Sequence, residues 1–89
     1  MVGRKRKRLK IEPIHTTQIV PFPLKPGKPI IIFPEEIEAM RLVDLNGMRQ
    51  EEAARKMGCS RSTIARLLKS GRKKIMEGVV EGKIIFKAD

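Results

Sequence analysis

The run Gln50-Glu51-Glu52-Ala53-Ala54-Arg55-Lys56-Met57-Gly58-Cys59-Ser60-Arg61-Ser62-Thr63-Ile64-Ala65-Arg66-Leu67-Leu68-Lys69 carries two helical patterns with a break between them. Before the break, Ala53, Ala54 and Met57 line one side of a short helix from Gln50 to Met57, which Gly58 ends. After it, the Ser60 hydroxyl is placed to accept from the amide of Ser62 or Thr63 and start a second helix. Ile64, Leu67, Leu68, Gly71, Ile75 and Val79 then recur at helical spacing until Gly82 stops the pattern. Counted from Gln50 as position one of a helix-turn-helix, Ala54 falls at position five, where two helices cross and a small side chain is needed. Gly58 falls at position nine, where the turn requires a positive φ, and Ile64 and Leu67 fall at fifteen and eighteen, facing inward. Ala53, Met57 and Cys59 complete the buried set.

Upstream, Pro34 suits the first position of a helix running to about Asn46. Glu35 and Glu36 there favour the positive end of the helix dipole. Ile37, Met40 and Val43, with Leu42 and Leu45 beside them, form its apolar stripe, and Gly47 stops it. The methionines at 40, 48, 57 and 76 read as core. All six prolines lie between Pro13 and Pro34, which keeps that part of the chain extended. Ile14 to Phe22 is β-rich and reads as a short strand, limited to an edge by Pro21 and Pro23. Lys83 to Lys87 reads as a last short strand beside it, within one chain or between two. The expected fold is therefore mostly α: a three-helix helix-turn-helix domain with an extended N-terminal arm and a minor β element from short N- and C-terminal strands. Its parts are a basic flexible arm (1–13), an extended Pro-rich segment with a short strand (14–33), the helical domain (34–82) and a closing strand (83–89).

Composition bounds the function. The 89 residues leave room for one small domain, and 20 Lys and Arg against 10 Asp and Glu give a net charge of +10. The longest apolar run, Ile30 to Phe33, is far short of the roughly 18 residues of a membrane-spanning helix. The basic N-terminus lacks an apolar signal core, so a cytoplasmic location is expected. One Cys and one His cannot supply a four-ligand metal site or an internal disulfide, and no cofactor is expected. The charge is concentrated in two blocks. Residues 1–10 carry six bases without an acid, and residues 57–74 carry six more, again without an acid.

On a helix starting after Ser60, the face opposite Ile64 and Leu68 presents Arg61, Ser62, Ala65, Arg66 and Lys69. In a helix-turn-helix, the second helix lies in the DNA major groove and its first turns touch base edges. Arg61 and Arg66 suit bidentate pairing with guanine, Ala65 leaves space for a thymine methyl, and Ser62 is a short hydrogen-bonding group. Ser60, Thr63, Lys69, Arg72, Lys73 and Lys74 are expected on the phosphate backbone, together with Arg4, Lys5, Arg6, Lys7 and Arg8 of the arm. Glu51 and Glu52 open the preceding helix and serve its dipole.

No catalytic set emerges, and the chain is not expected to be an enzyme. Cys59 reads as a small hydrophobe in the turn, and His15 stands alone in an extended segment. Ser60 and Ser62 have no histidine nearby in sequence, and Lys25-Pro26-Gly27-Lys28 lacks the spacing of a phosphate loop.

The stretch Glu36 to Ala54, continuing through Met57-Gly58-Cys59-Ser60-Arg61-Ser62-Thr63, resembles an uncharacterised family of short bacterial and archaeal proteins regarded as DNA-binding. Their helix-turn-helix is similar to region four of RNA polymerase sigma factors. Members commonly carry leucine at the positions of Ile37, Met40 and Met48 and valine at that of Cys59, swaps that conserve packing. A small polar residue often precedes their first helix, so Phe33 departs from the pattern and leaves that cap unsupported. The resemblance implies a transcriptional regulator and supplies neither operator nor ligand.

The expected function is sequence-specific binding of double-stranded DNA, with pairing into a homodimer extending a thin core. Two rivals have distinct signatures. A non-specific architectural or RNA-binding protein would need the charge but not the turn register. A sigma-like module would contact RNA polymerase rather than DNA.

Overall fold

The computed structural model describes residues 8–89. The chain is mostly α with a minor β element: β1 (Gln18–Ile19), β2 (Ile30–Ile32), α1 (Pro34–Met40, continued by a π-helical turn Arg41–Leu45), α2 (Gln50–Met57), α3 (Arg61–Glu81) and β3 (Ile85–Lys87). Among the described residues, no helix is long and apolar enough to cross a membrane.

The helices begin and end where their caps dictate. Pro34 occupies the first turn of α1. Phe33 offers no side-chain cap, and Glu36 compensates by accepting from the Phe33 amide at 2.8 Å. Glu52 does the same for the Arg49 amide at 2.9 Å, so it caps α2 as well as serving its dipole. Ser60 caps α3, accepting from the Thr63 amide at 3.1 Å. Gly47, Gly58 and Gly82 close the three helices at φ of 74°, 79° and 67°, a region that L side chains enter only under strain.

The three strands form one sheet in the order β1-β3-β2. Gln18 and Ile19 pair antiparallel with Phe86 and Ile85, so the two terminal strands meet within one chain. β2 is an addition to the expected pair. It pairs in parallel on the other side of β3, Ile30 against Ile85 and Ile32 against Lys87. Parallel neighbours need a crossover. Here the crossover is the entire helical unit, α1 through α3.

Two apolar clusters result. Ala39, Leu42, Ala53, Ala54, Met57, Ile64 and Leu68 join the three helices. Ile30, Ile32 and Ile85 join the sheet to Ile37, Met40 and Ile75. The two differ from the expected stripes at their ends. Leu45 is 78% exposed, because the π-helical turn inserts a residue and rotates the end of the helix off the stripe. Val79 and Met76 are exposed too, and the place expected for Val79 belongs to Gly78. There Ile85 of β3 packs directly on the α3 backbone, and a Cβ would stand 2.5 Å from its Cδ1. Gly71, on the stripe as expected, brings α3 against α1, where a Cβ would stand 3.1 Å from that of Glu36.

The segment expected to be a flexible arm is only partly within the described residues, and its described part is tied down. The Lys10 amide donates to the Met57 carbonyl at 3.0 Å, and Leu9 packs on the helical cluster. Arg41 donates to the carbonyls of Glu12 and Pro13 at 3.0 and 3.2 Å.

Gly78→Ala raises helix propensity by about 1 kcal/mol, yet it forces a methyl against buried Ile85 and the Lys83 carbonyl. Overpacking costs about 1–3 kcal/mol. Chemical denaturation should therefore show a net loss of about 1 kcal/mol, whereas a gain would mean that Ile85 moves aside freely.

Candidate nucleic-acid interface

The site starts from how α3 is held. Its inner face carries Ile64, Leu68 and Gly71 against α1 and α2. Beneath it lies a polar anchor that the sequence pattern does not announce. Glu36 is buried (3% exposed), and its carboxylate accepts from the Phe33 amide, the Ser70 hydroxyl and the Lys74 ammonium, the last at 2.9 Å. Burial pushes this carboxyl up, but those three donors outweigh it and hold it below the usual carboxylate range. Glu38, at 1% exposure, is held by Arg41 at 2.8 Å and by the Glu12 amide at 3.3 Å. Neither burial is legible from the stripe Ile37, Met40, Val43, which leaves both glutamates off its centre.

The bases of α3 divide into two groups. Arg72 and Lys74, expected on the DNA backbone, are both engaged within the fold. Arg72 grips Asp44 through two nitrogens at 2.7 and 3.1 Å. That pairing holds the Asp44 carboxyl below its ordinary value and raises the guanidinium. Lys74 reaches Glu36 and lies 4.5 Å over the Phe33 ring. Their positions on α3 turn them toward α1, and the acids there neutralise them.

Arg61, Arg66, Lys69 and Lys73 form the other group. All are exposed, and no ion pair engages them among the described residues. A helix turns about 100° per residue, which puts Ser62, Arg66, Lys69 and Lys73 on one line, with Ala65 beside it. Arg66 and Lys73 are then about 10 Å apart along the axis at about 1.5 Å per residue. No acid stands in the first turn of α3. Ser60 and Thr63 are occupied with each other in the cap, the Ser60 hydroxyl 3.0 Å from that of Thr63 and also 3.0 Å from that of Ser62.

The described end of the basic arm comes to the same place. A groove of about 660 Å³ lies between residues 8–11 and the start of α3, and Arg8, Glu35, Cys59, Ser60, Thr63 and Arg66 are among the residues that line it. Arg8 and Arg66 thus border one groove, together with Glu35 of α1. Arg4, Lys5, Arg6 and Lys7 lie outside the described residues. Met57 and Gly58 set the entry of α3, with the Gly58 amide donating to Ala54 at 2.9 Å and the Cys59 amide to the same carbonyl at 2.9 Å. Cys59 packs partly buried against the helical cluster. Among the described residues, no three of His, Cys, Asp and Glu gather as a metal site.

The two lysines at 73 and 74 should separate cleanly in urea denaturation. Lys74→Met strips Glu36 of its cation and should cost about 2 kcal/mol, less than for a fully buried pair because Lys74 is partly exposed. Lys73→Ala should change stability by no more than about 0.5 kcal/mol. Because Glu36 has a lowered folded pKa, its contribution is complete above the ordinary carboxylate value near 4.5 and is lost as pH falls through the folded value. The gap between wild type and Lys74→Met should therefore close in acid; a gap that persists there would assign it to something other than the ion pair.

Residues 1–88 match the family model described as "Protein of unknown function DUF134", and the chain belongs to that family. It is 48% identical over 85 residues to a UPF0251 protein of Pyrococcus furiosus, covering 91% of this chain and 79% of that relative. It is 49% identical over 69 residues to a UPF0251 protein of Pyrococcus horikoshii (78% and 63%) and 43% identical over 63 residues to one of Moorella thermoacetica (71% and 42%). The chain thus spans from under half to about four-fifths of the length of these relatives. No solved structure matches it.

Proposed function

We propose that this member of the DUF134 family binds double-stranded DNA sequence-specifically, as a transcriptional regulator, with α3 in the major groove. One observation carries the reading. α3 is anchored on one side by the apolar cluster and the Glu36 carboxylate, and on the other it presents Arg66, Lys69 and Lys73; with Arg61 exposed in its first turn, these cations meet no ion-pairing acid among the described residues.

The division of labour among the bases supports it. Arg72 and Lys74 are paired with acids of the first helix, whereas Arg66, Lys69 and Lys73 on the outward line are not. Leaving like charges about one to three turns apart on a helix costs stability in the free protein, and a polyanion recovers that cost on binding. The left-handed turn at Gly58 leads from α2 into α3, which packs on both α1 and α2. With α3 in the major groove, Arg61, Ser62, Ala65 and Arg66 face base edges, while Lys69 and Lys73 follow the phosphates. Arg8 stands beside the α3 N-terminus, so the basic arm continues along the same DNA. Arg72 and Lys74 are left out of the DNA-contacting set, because Asp44 and Glu36 hold them against α1. Pairing of two chains on adjacent half-sites belongs to the same proposal, as does the absence of catalysis.

Selection from random duplex DNA tests it. The expected result is an enriched motif, with half-site spacing reporting the oligomer. On that motif Arg66→Ala should cost about 1–3 kcal/mol and relax one position, whereas Lys73→Ala should weaken all sequences alike and reduce the salt slope by about 0.9. Binding without enrichment would indicate a non-specific architectural or RNA-binding protein. Absence of binding, with capture of polymerase subunits from nuclease-treated extract, would indicate the sigma-like alternative.

A further inference from the structure

The second apolar cluster is not closed. Between the sheet, α1 and the extended segment 13–19 lies an open groove of about 640 Å³ lined by Ile32, Ile37, Met40, Ile75 and Ile85. The depression is open to solvent and lined mainly by apolar side chains, so it leaves part of the second cluster uncovered. It falls within the roughly 300–1,000 Å³ range of small-molecule sites.

Its roof is a strap fixed at both ends. Arg41 holds the Pro13 carbonyl, and the Lys87 amide donates to Thr17 at 2.9 Å where β1 meets β3. Ile14 and Ile19 line the space from above and take no part in the cluster below, and Ile19 remains 48% exposed. Ile14 and Ile19 thus border the same open groove as the cluster residues.

The charge at the margin selects the occupant. Arg41, Asp44 and Lys87 reach the groove. Arg41 is taken by Glu38, and Asp44 by Arg72. Lys87 has no ion-pair partner among the described residues and is half-buried, which leaves one uncompensated positive charge at the edge of an apolar groove.

We propose that this groove binds a small amphiphile with an apolar body and one carboxylate, the body lying over Ile32, Ile37 and Ile75 and the carboxylate on Lys87. Such an occupant touches α3 through Ile75 and the π-helical turn of α1 at once. The site stands independently of DNA binding.

Octanoate, octanol and octylammonium serve as probes, titrated at millimolar concentration into the protein labelled at isoleucine δ1 methyls. Octanoate should shift Ile14, Ile19, Ile32, Ile37, Ile75 and Ile85 saturably and leave Ile64, in the helical cluster, unmoved. Octanoate should bind about three- to five-fold tighter than octanol, and octylammonium more weakly than either. Lys87→Met, or Lys87→Gln if the first does not fold, should abolish the preference for octanoate over octanol. No saturable shift with octanoate, equal shifts at Ile64, or octylammonium binding as tightly as octanoate would each overturn the proposal.

Discussion

Everything in this fold that bears on function depends on how closely α3 lies on α1. Gly71 allows the approach, and Glu36 fixes it. The missing side chain at 71 lets the α3 backbone come within reach of the α1 glutamate, whose carboxylate then meets Ser70 and, one turn along, Lys74. A buried carboxylate is tolerable only with its hydrogen bonds made. With three donors on it, the charge specifies one rotation of α3 about its own axis. That rotation decides which bases turn inward to be neutralised and which turn out.

The same constraint explains why the sheet is small. β2 and β3 flank the whole helical unit, and their parallel pairing closes the chain around it. Ile85 seals the lower end of α3 at Gly78, much as Glu36 holds its middle and Ser60 its start. A 21-residue helix is thereby held at three points along its length, while its first turn stays free of acids. At the opposite margin of the sheet the contacts are looser, and residues 13–19 cross the second cluster without filling it.

Much of the helical part is legible in the sequence because its boundaries are chemical. Pro34, Gly47, Ser60, Gly58 and Gly82 each act through local backbone preference, and no distant contact is needed to read them. The closing strand and its partner near Ile19 are legible too, from β-rich runs at both ends. β2 is not. Ile30-Ile31-Ile32 is a short apolar run between Pro29 and Pro34, without the alternation that marks a strand, and only β3 from the far end of the chain makes it one. Periodicity also carries the α3 stripe to Val79, whereas the tertiary fold turns burial to Gly78. For the candidate interface, exposure of Arg66, Lys69 and Lys73 follows from register, and that of Arg61 from its place in the first turn. The diversion of Arg72 and Lys74 does not, since it depends on where Asp44 and Glu36 come to rest in space.

The central claim is that the outer face of α3, with Arg8 beside its start, meets DNA. Backbone amide shift mapping by NMR, with a duplex carrying the selected motif, tests it most directly. The account predicts that perturbations concentrate between Ser60 and Lys73 and at Arg8, with β1, β2 and β3 unaffected. Perturbations centred on the sheet, or spread evenly over every lysine and arginine, with Lys25, Lys28, Arg49 and Lys83 shifted as much as Arg66, would contradict it.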